Sequence, residues 1–254
     1  MAKQRLKHLE SLRFRRERGP ELPLFTQDDR LTLYGFNRMY SAITQLLSTA
    51  DDFSLDLSQS CFYYSAIGAG LINYVNDGRK QAKSAGGQFE YCVDLDGEHI
   101  FHWGWLYSQD CEYPAERHWA KHVVTTLGTQ VIDFQSPSYL NYRFNDKGYM
   151  VNGCQVNGHG CPVIVPVMYD RNIIRRFKDW AVPRNGLTVS AAWKPTNHQL
   201  YWMRPDCLGR IDAFVGRAID LFEQRIVCRE LEQFNGLDTL DYTSREAYIW
   251  TDSQ

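Results

Sequence analysis

Apolar positions recur at helical spacing in the first third of the chain. Between residues 31 and 47 most apolar side chains have another apolar side chain three or four positions further along, which predicts a helix. The polar residues 26–29 resemble the start of that helix. A second apolar run begins near Cys61, continues to about Val75 and ends at Asn76-Asp77-Gly78. The pattern therefore predicts two neighbouring helices.

From Gly86 onward the hydrophobic period changes to two. Apolar residues alternate with polar ones up to a tight turn at Asp96-Gly97, and a second strand follows over residues 100–106, which predicts a β-hairpin. We expect residues 108–126 to form an excursion that contains a helical turn. Further strands are predicted at residues 131–134, 148–151, 162–168, 187–193 and 200–203.

A long amphipathic helix is predicted near the end of the chain, over about residues 208–234. Its apolar face would carry Ile211, Val215, Ala218, Phe222 and Ile226. N-terminal helices, a mostly antiparallel sheet and a long C-terminal helix together predict an α+β fold.

Composition and charge divide the chain into two parts. The 254 residues are 44% hydrophobic, which is enough for one sizeable core, so we expect a single domain over residues 21–254. The first 18 residues carry seven basic and two acidic side chains, which leaves a net charge of −7 on the rest. The basic segment at residues 1–20 is able to bind nucleic acid or an anionic surface, and a solvated amphipathic segment is the simpler alternative.

The sequence also indicates the cellular compartment of the protein. We find no run that approaches the roughly 18 apolar residues of a membrane span, and no apolar core follows the basic N-terminus as a signal peptide requires. The seven cysteines are scattered and odd in number, which favours free thiols over a disulfide framework. We therefore expect a cytoplasmic protein without a membrane partner.

Cys61 is the first candidate for chemistry. It stands where a polar stretch changes into the second apolar run, so it lies on the first turn of the predicted helix. Unpaired N–H groups at a helix N-terminus favour the nucleophilic thiolate. His99 and His102 lie on opposite faces of the second hairpin strand. We favour His102 as the base, because the missing side chain of Gly104 on its face leaves room for the thiol; His99 remains the alternative.

Asp133 supplies a candidate acceptor for the imidazole. It lies between Ile132 and Phe134 in an apolar strand, where a carboxylate is costly unless it meets a hydrogen-bonding partner. A histidine on the adjacent strand would be such a partner. The competing interpretation is an aspartate that caps the backbone at the end of the strand.

A cysteine at the head of a helix, then a strand with His-Trp, then a strand with a lone aspartate resembles the papain-like and transglutaminase-like cysteine hydrolase superfamily, including its bacterial branches. The resemblance covers about residues 55–140. It implies that Cys61 is the nucleophile, His102 the general base and acid, and Asp133 the residue that orients the imidazole. The implied activity is attack on an amide or related acyl bond of a protein or peptide through a thioester, without a cofactor. Gln59 and the backbone N–H of Cys61 would bind the oxyanion.

Two other groupings contain residue types that bind metals. Cys154, His159 and Cys161, with His118 and His122 one helical turn apart, contain ligands that zinc prefers. Their spacing matches no common zinc module and consecutive Asn-Gly turns explain the first group, so no metal is predicted.

The alternative function is a non-catalytic module on the same fold. Basic and aromatic residues alternate over residues 175–184, and a module of this kind would bind protein or nucleic acid through that surface and the basic segment. The acidic charge of the remaining chain makes a solvated helix face the simpler interpretation of residues 175–184.

Overall fold

The structure is a computed structural model, and it describes residues 14–49, 60–77, 79–95, 98–104, 121–137, 150–151, 154–155, 166–172, 181–184, 187–195 and 205–232. The helices are α1 (Leu33–Thr49), α2 (Ser60–Val75), α3 (Pro205–Glu223) and α4 (Arg229–Glu232). The strands are β1 (Phe14–Arg16), β2 (Ala82–Leu95), β3 (Glu98–Gly104), β4 (Lys121–Leu127), β5 (Gln130–Asp133), β6 (Met150–Val151), β7 (Cys154–Gln155), β8 (Val167–Asp170), β9 (Ala181–Arg184), β10 (Leu187–Pro195) and β11 (Ile226–Cys228). Helices packed with antiparallel sheets confirm the α+β class.

The main sheet is organised around the long strand β2. Within the described ranges it has seven strands in the order β8-β5-β4-β2-β10-β9, with β3 also paired to β2. Every pairing is antiparallel. Residues 82–88 of β2 pair with β4 and residues 90–95 pair with β3, while β10 occupies the opposite edge. The predicted hairpin is confirmed as β2–β3, and the predicted strands at 131–134 and 187–193 are confirmed as β5 and β10.

The first helix begins later than the polar residues 26–29 indicated. Those residues close a turn, in which the N–H of Asp29 donates to the carbonyl of Thr26 at 3.0 Å. The N-cap is Thr32, whose hydroxyl accepts the N–H of Gly35 at 3.0 Å. The second helix ends at Val75, as predicted.

The C-terminal helix is shorter than the predicted 208–234. α3 ends at Glu223, because the chain turns at Arg225, which has a φ of 55°. The following strand β11 pairs antiparallel with β1, which lies inside the basic segment. Ile226 therefore belongs to a strand and not to the apolar helix face.

The predicted excursion over residues 108–126 is wrong for its last part, since Lys121–Leu127 form the strand β4 of the main sheet. Residues 108–120 and the predicted strand at 200–203 lie outside the described residues.

The core is built on α1, which is buried on nearly all sides. It packs against α2, α3 and β11, and α2 packs in turn on β2 and β4. Three amide side chains each form hydrogen bonds with both the backbone N–H and the backbone carbonyl of one other residue, in the way that a neighbouring strand does. These pairs are Asn37 with Cys228, Asn73 with Ala82, and Gln130 with Leu31. Among the described helices, none is long and apolar enough to cross a membrane.

Candidate catalytic site

Helix α2 carries Cys61 on its first turn, as predicted, and the side chain is 8% exposed. One turn further along, Ser65 fixes the helix to the sheet. The hydroxyl of Thr125 on β4 donates to the carbonyl of Ser65 at 2.9 Å, and the Ser65 hydroxyl donates to that of Ser84 on β2 at 3.1 Å. The thiol is therefore held at a fixed place relative to β4.

The β4–β5 hairpin brings a histidine and an aspartate together. A two-residue turn joins the strands, and its first residue, Gly128, has a φ of 59°, as in a type II′ turn. The pairing of Thr125 with Ile132, continued by one position, sets Asp133 opposite Val124. His122 is then the diagonal neighbour of Asp133 on the same face of the sheet.

His122 and Asp133 form a buried, hydrogen-bonded pair. Nε2 of His122 lies 2.7 Å from Oδ2 of Asp133, and the two side chains are only 5% and 3% exposed. The other carboxylate oxygen, Oδ1, accepts the backbone N–H groups of Gln135 and Ser136 at 3.0 and 3.2 Å. Both oxygens of Asp133 are thus engaged, so the carboxylate has a fixed direction.

The Cys61 thiol completes the site by a hydrogen bond with His122. Since Nε2 faces Asp133, Nδ1 is the ring nitrogen that remains for the sulfur. Burial alone would lower the pKa of His122, but the charge and hydrogen bond of Asp133, followed by the contact with Cys61, raise it to about 10. The raised pKa favours the imidazolium form of His122 at neutral pH, in which the ring is hydrogen-bonded to the carboxylate of Asp133.

The histidine that meets Asp133 is His122, and not the favoured His102 or its alternative His99. In the backbone register, His102 pairs with Cys92 of β2 and His122 pairs with Gly87 of β2. These two positions on β2 are five residues apart. At the usual rise of a strand this separation is roughly 16 Å. The side chains of His99 and His102, and all of Gln59, lie outside the described residues.

A signal for His122 was present in the sequence. It is followed by Val-Val-Thr-Thr, a β-branched run typical of a strand, and then by Gly128. A strand and a tight turn at this point would have brought His122 next to Asp133.

The described residues hold no group of three or more His, Cys, Asp or Glu side chains arranged to bind a metal ion. His122 lies on a strand and not on the expected helical turn. Of the candidate zinc ligands, His118, His159 and Cys161 lie outside the described residues. Cys61 and Cys228 are free thiols in the structure.

Comparison with known proteins gives three findings. A family model described as "Protein of unknown function (DUF2026)" matches residues 32–152. A search of curated proteins finds no match. A solved structure described as "The crystal structure of genomics APC5867" is similar with a TM-score of 0.46 and 16% identity, over 80% of this chain and 82% of that chain. The segment similar to the family model contains Cys61, His122 and Asp133.

Proposed function

We propose that this protein is a cysteine-dependent hydrolase or acyltransferase of papain-like architecture that acts on an amide or related acyl bond. The observation that carries the proposal is the buried hydrogen-bonded series from Cys61 through His122 to Asp133. It supplies a thiol on a helix N-terminus, an imidazole to exchange its proton and a carboxylate to orient the imidazole. The free thiols of Cys61 and Cys228 fit a cytoplasmic enzyme.

In the proposed reaction, Sγ of Cys61 attacks the carbonyl carbon of the substrate. The tetrahedral intermediate collapses to a thioester as His122 donates its proton to the leaving amine. The imidazole, now neutral, accepts a proton from water or from a second amine as that nucleophile attacks the thioester. Release of the acid or of the new amide regenerates the thiolate and the imidazolium. A protein or peptide is the proposed substrate class, and no cofactor takes part.

The raised pKa of His122 supports this scheme, because an imidazolium at neutral pH is the form that protonates a leaving group. Burial of the pair supports it as well, since hydrogen bonds and charges act more strongly where water is excluded.

Alkylation by iodoacetamide, mapped to each cysteine by mass spectrometry, tests the nucleophile. We expect selective labelling of Cys61 at pH 6, well below the value of about 8.5 at which ordinary thiols ionise. Labelling should be lost in His122→Gln and retained in His102→Gln, and the buried thiol of Cys228 serves as an internal control. If Cys61 in the wild type stays unlabelled until pH 8.5, the enzyme proposal fails and a non-catalytic binding module replaces it.

A p-nitrophenyl ester tests acyl transfer directly. We expect a burst of one equivalent of nitrophenol and an acyl mass increment on the peptide that contains Cys61. Both should be absent in Cys61→Ser. Steady release of nitrophenol without an adduct on Cys61 would argue against a thioester.

A further inference from the structure

We propose that Gly68 and Phe134 are a positioning pair that sets the distance between the helix of Cys61 and the carboxylate of Asp133. This inference rests on the proposed function, and it assigns a role to two residues that take no part in the proposed bond-making and proton-transfer steps.

The backbone of α2 and the ring of Phe134 are in direct contact. A Cβ added at Gly68 would lie 2.3 Å from Cδ2 and 2.4 Å from Cε2 of Phe134, so only glycine admits the ring. Gly68 follows Cys61 by seven positions, which is two helical turns and places both on the same side of α2. Phe134 follows Asp133 directly in the chain. One contact therefore links the two elements that carry the nucleophile and the carboxylate.

The ring of Phe134 has no room to move away. It is 1% exposed and stacks on Phe36 of α1, with ring centroids 5.0 Å apart and an angle of 18° between the planes. Phe36 is itself fully buried and stacks on Tyr40. To bring an added Cβ to ordinary contact at about 3.5 Å, the ring would have to shift by about 1 Å. The helix and the ring must separate if a side chain stands at position 68.

A shift of Phe134 reaches Asp133 through the turn that follows β5. The N–H groups of Gln135 and Ser136 donate to Oδ1 of Asp133, and the Ser136 hydroxyl donates to its carbonyl at 2.9 Å. The turn thus moves as one unit with the carboxylate. A displacement of about 1 Å is enough to break a hydrogen bond of 2.7 Å to His122, and misplacement on this scale can cost about 100-fold in rate.

Gly70 provides a matched control on the same helix. A Cβ at Gly70 would lie 2.6 and 2.7 Å from the methyl groups of Val215 on α3, so Gly70→Ala introduces a clash of similar severity. That clash lies against α3, away from β5, and the change in helix propensity is the same.

The experiment is a double-mutant cycle read out by the rate of Cys61 alkylation at pH 6. Gly68→Ala creates the clash and Phe134→Leu leaves a gap, and we expect each to slow labelling roughly tenfold to a hundredfold. The double variant places the new methyl group in the gap and should recover most of the wild-type rate. Gly70→Ala should stay within about twofold of the wild type, and circular dichroism checks folding.

The ring titration of His122, followed by NMR, is a second readout that loss of stability alone does not move. In Gly68→Ala the pKa of His122 should fall from about 10 towards its ordinary 6.5, because its contact with Asp133 is lost.

Two results would overturn the positioning role. One is an equal effect of Gly68→Ala and Gly70→Ala on the rate of Cys61 alkylation, and the other is a double variant whose alkylation is no faster than that of the slower single variant. If Gly68→Ala does not fold, Phe134→Leu and the double variant decide by the same comparison. A wild type without reactive Cys61 would instead reject the proposed function.

Discussion

Asp133→Asn removes the charge beside His122 and keeps the turn that holds the side chain. In the wild type the N–H groups of Gln135 and Ser136 donate to Oδ1 of Asp133. The amide oxygen of asparagine can still accept both of these hydrogen bonds. The amide nitrogen would face Nε2 of His122, where a neutral ring nitrogen accepts a hydrogen bond. The substitution therefore isolates the electrostatic part of the interaction.

The expected effect on His122 is large. The charge and hydrogen bond of Asp133 raise the pKa of His122 to about 10 against burial, which acts to lower it. Relative to the ordinary 6.5, this value corresponds to a preference for the imidazolium of roughly 5 kcal/mol. Without the charge of Asp133, burial dominates, and we expect the pKa of His122 to fall to 6.5 or below.

The assay is NMR of the imidazole nitrogens in protein with labelled histidine, from pH 5 to 10.5. At pH 8 the ring of His122 should be an imidazolium in the wild type and neutral in Asp133→Asn. Asp170→Asn is the matched control. Asp170 lies on β8 and is a buried carboxylate that forms an ion pair with Arg30. If wild-type His122 titrates near pH 6.5, or if the two aspartate variants behave alike, the electrostatic reasoning is refuted.

The same shift makes folding stability depend on pH. Because the pKa of His122 is raised in the folded state, its contribution is fully present below pH 6.5 and is lost as the pH rises through about 10. Removal of one partner from a buried pair costs about 3–5 kcal/mol. Urea unfolding should therefore show a large deficit of Asp133→Asn at pH 6, and the deficit should shrink as the pH approaches 10.

Two further predictions concern buried polar side chains of α1, and urea unfolding measures both. Arg38→Met should lower the free energy of unfolding by about 3 kcal/mol. The reason is that Arg38 donates to the carbonyl of Phe222 at 2.7 Å and forms ion pairs with Glu17 and Glu21. A loss below about 0.5 kcal/mol would contradict this role. Asn37→Leu should cost about 2–4 kcal/mol, since it removes both buried hydrogen bonds between the Asn37 side chain and the backbone of Cys228. Asn37→Asp should recover only the bond to the N–H. Leucine as stable as asparagine would show that these groups find other partners.

The fold could be predicted from the sequence where short-range periodicity controls the structure. The end of α2 at Val75, the β2–β3 hairpin and the burial of Asp133 followed from apolar spacing and turn residues. The end of α3 did not, because residues 224–232 keep an apolar pattern that fits either a helix or a strand. The pairing of β11 with β1, about 210 residues earlier in the chain, decides in favour of the strand.

Two members of the candidate site follow from the sequence by itself. Cys61 lies at a helix start that is set by its own neighbours, and Asp133 lies in a strand whose apolar flanks require a partner for the carboxylate. Local strand and turn signals make His122 one candidate for that partner, and the tertiary structure decides between it, His99 and His102. Both β3 and β4 pair with the same edge of β2, β4 with residues up to 88 and β3 with residues from 90 onward. This arrangement places His122 beside Asp133 and His102 further along the sheet. The places of β3 and β4 along β2 depend on pairing between separate segments, so the local strand and turn signals around His122 do not decide them alone.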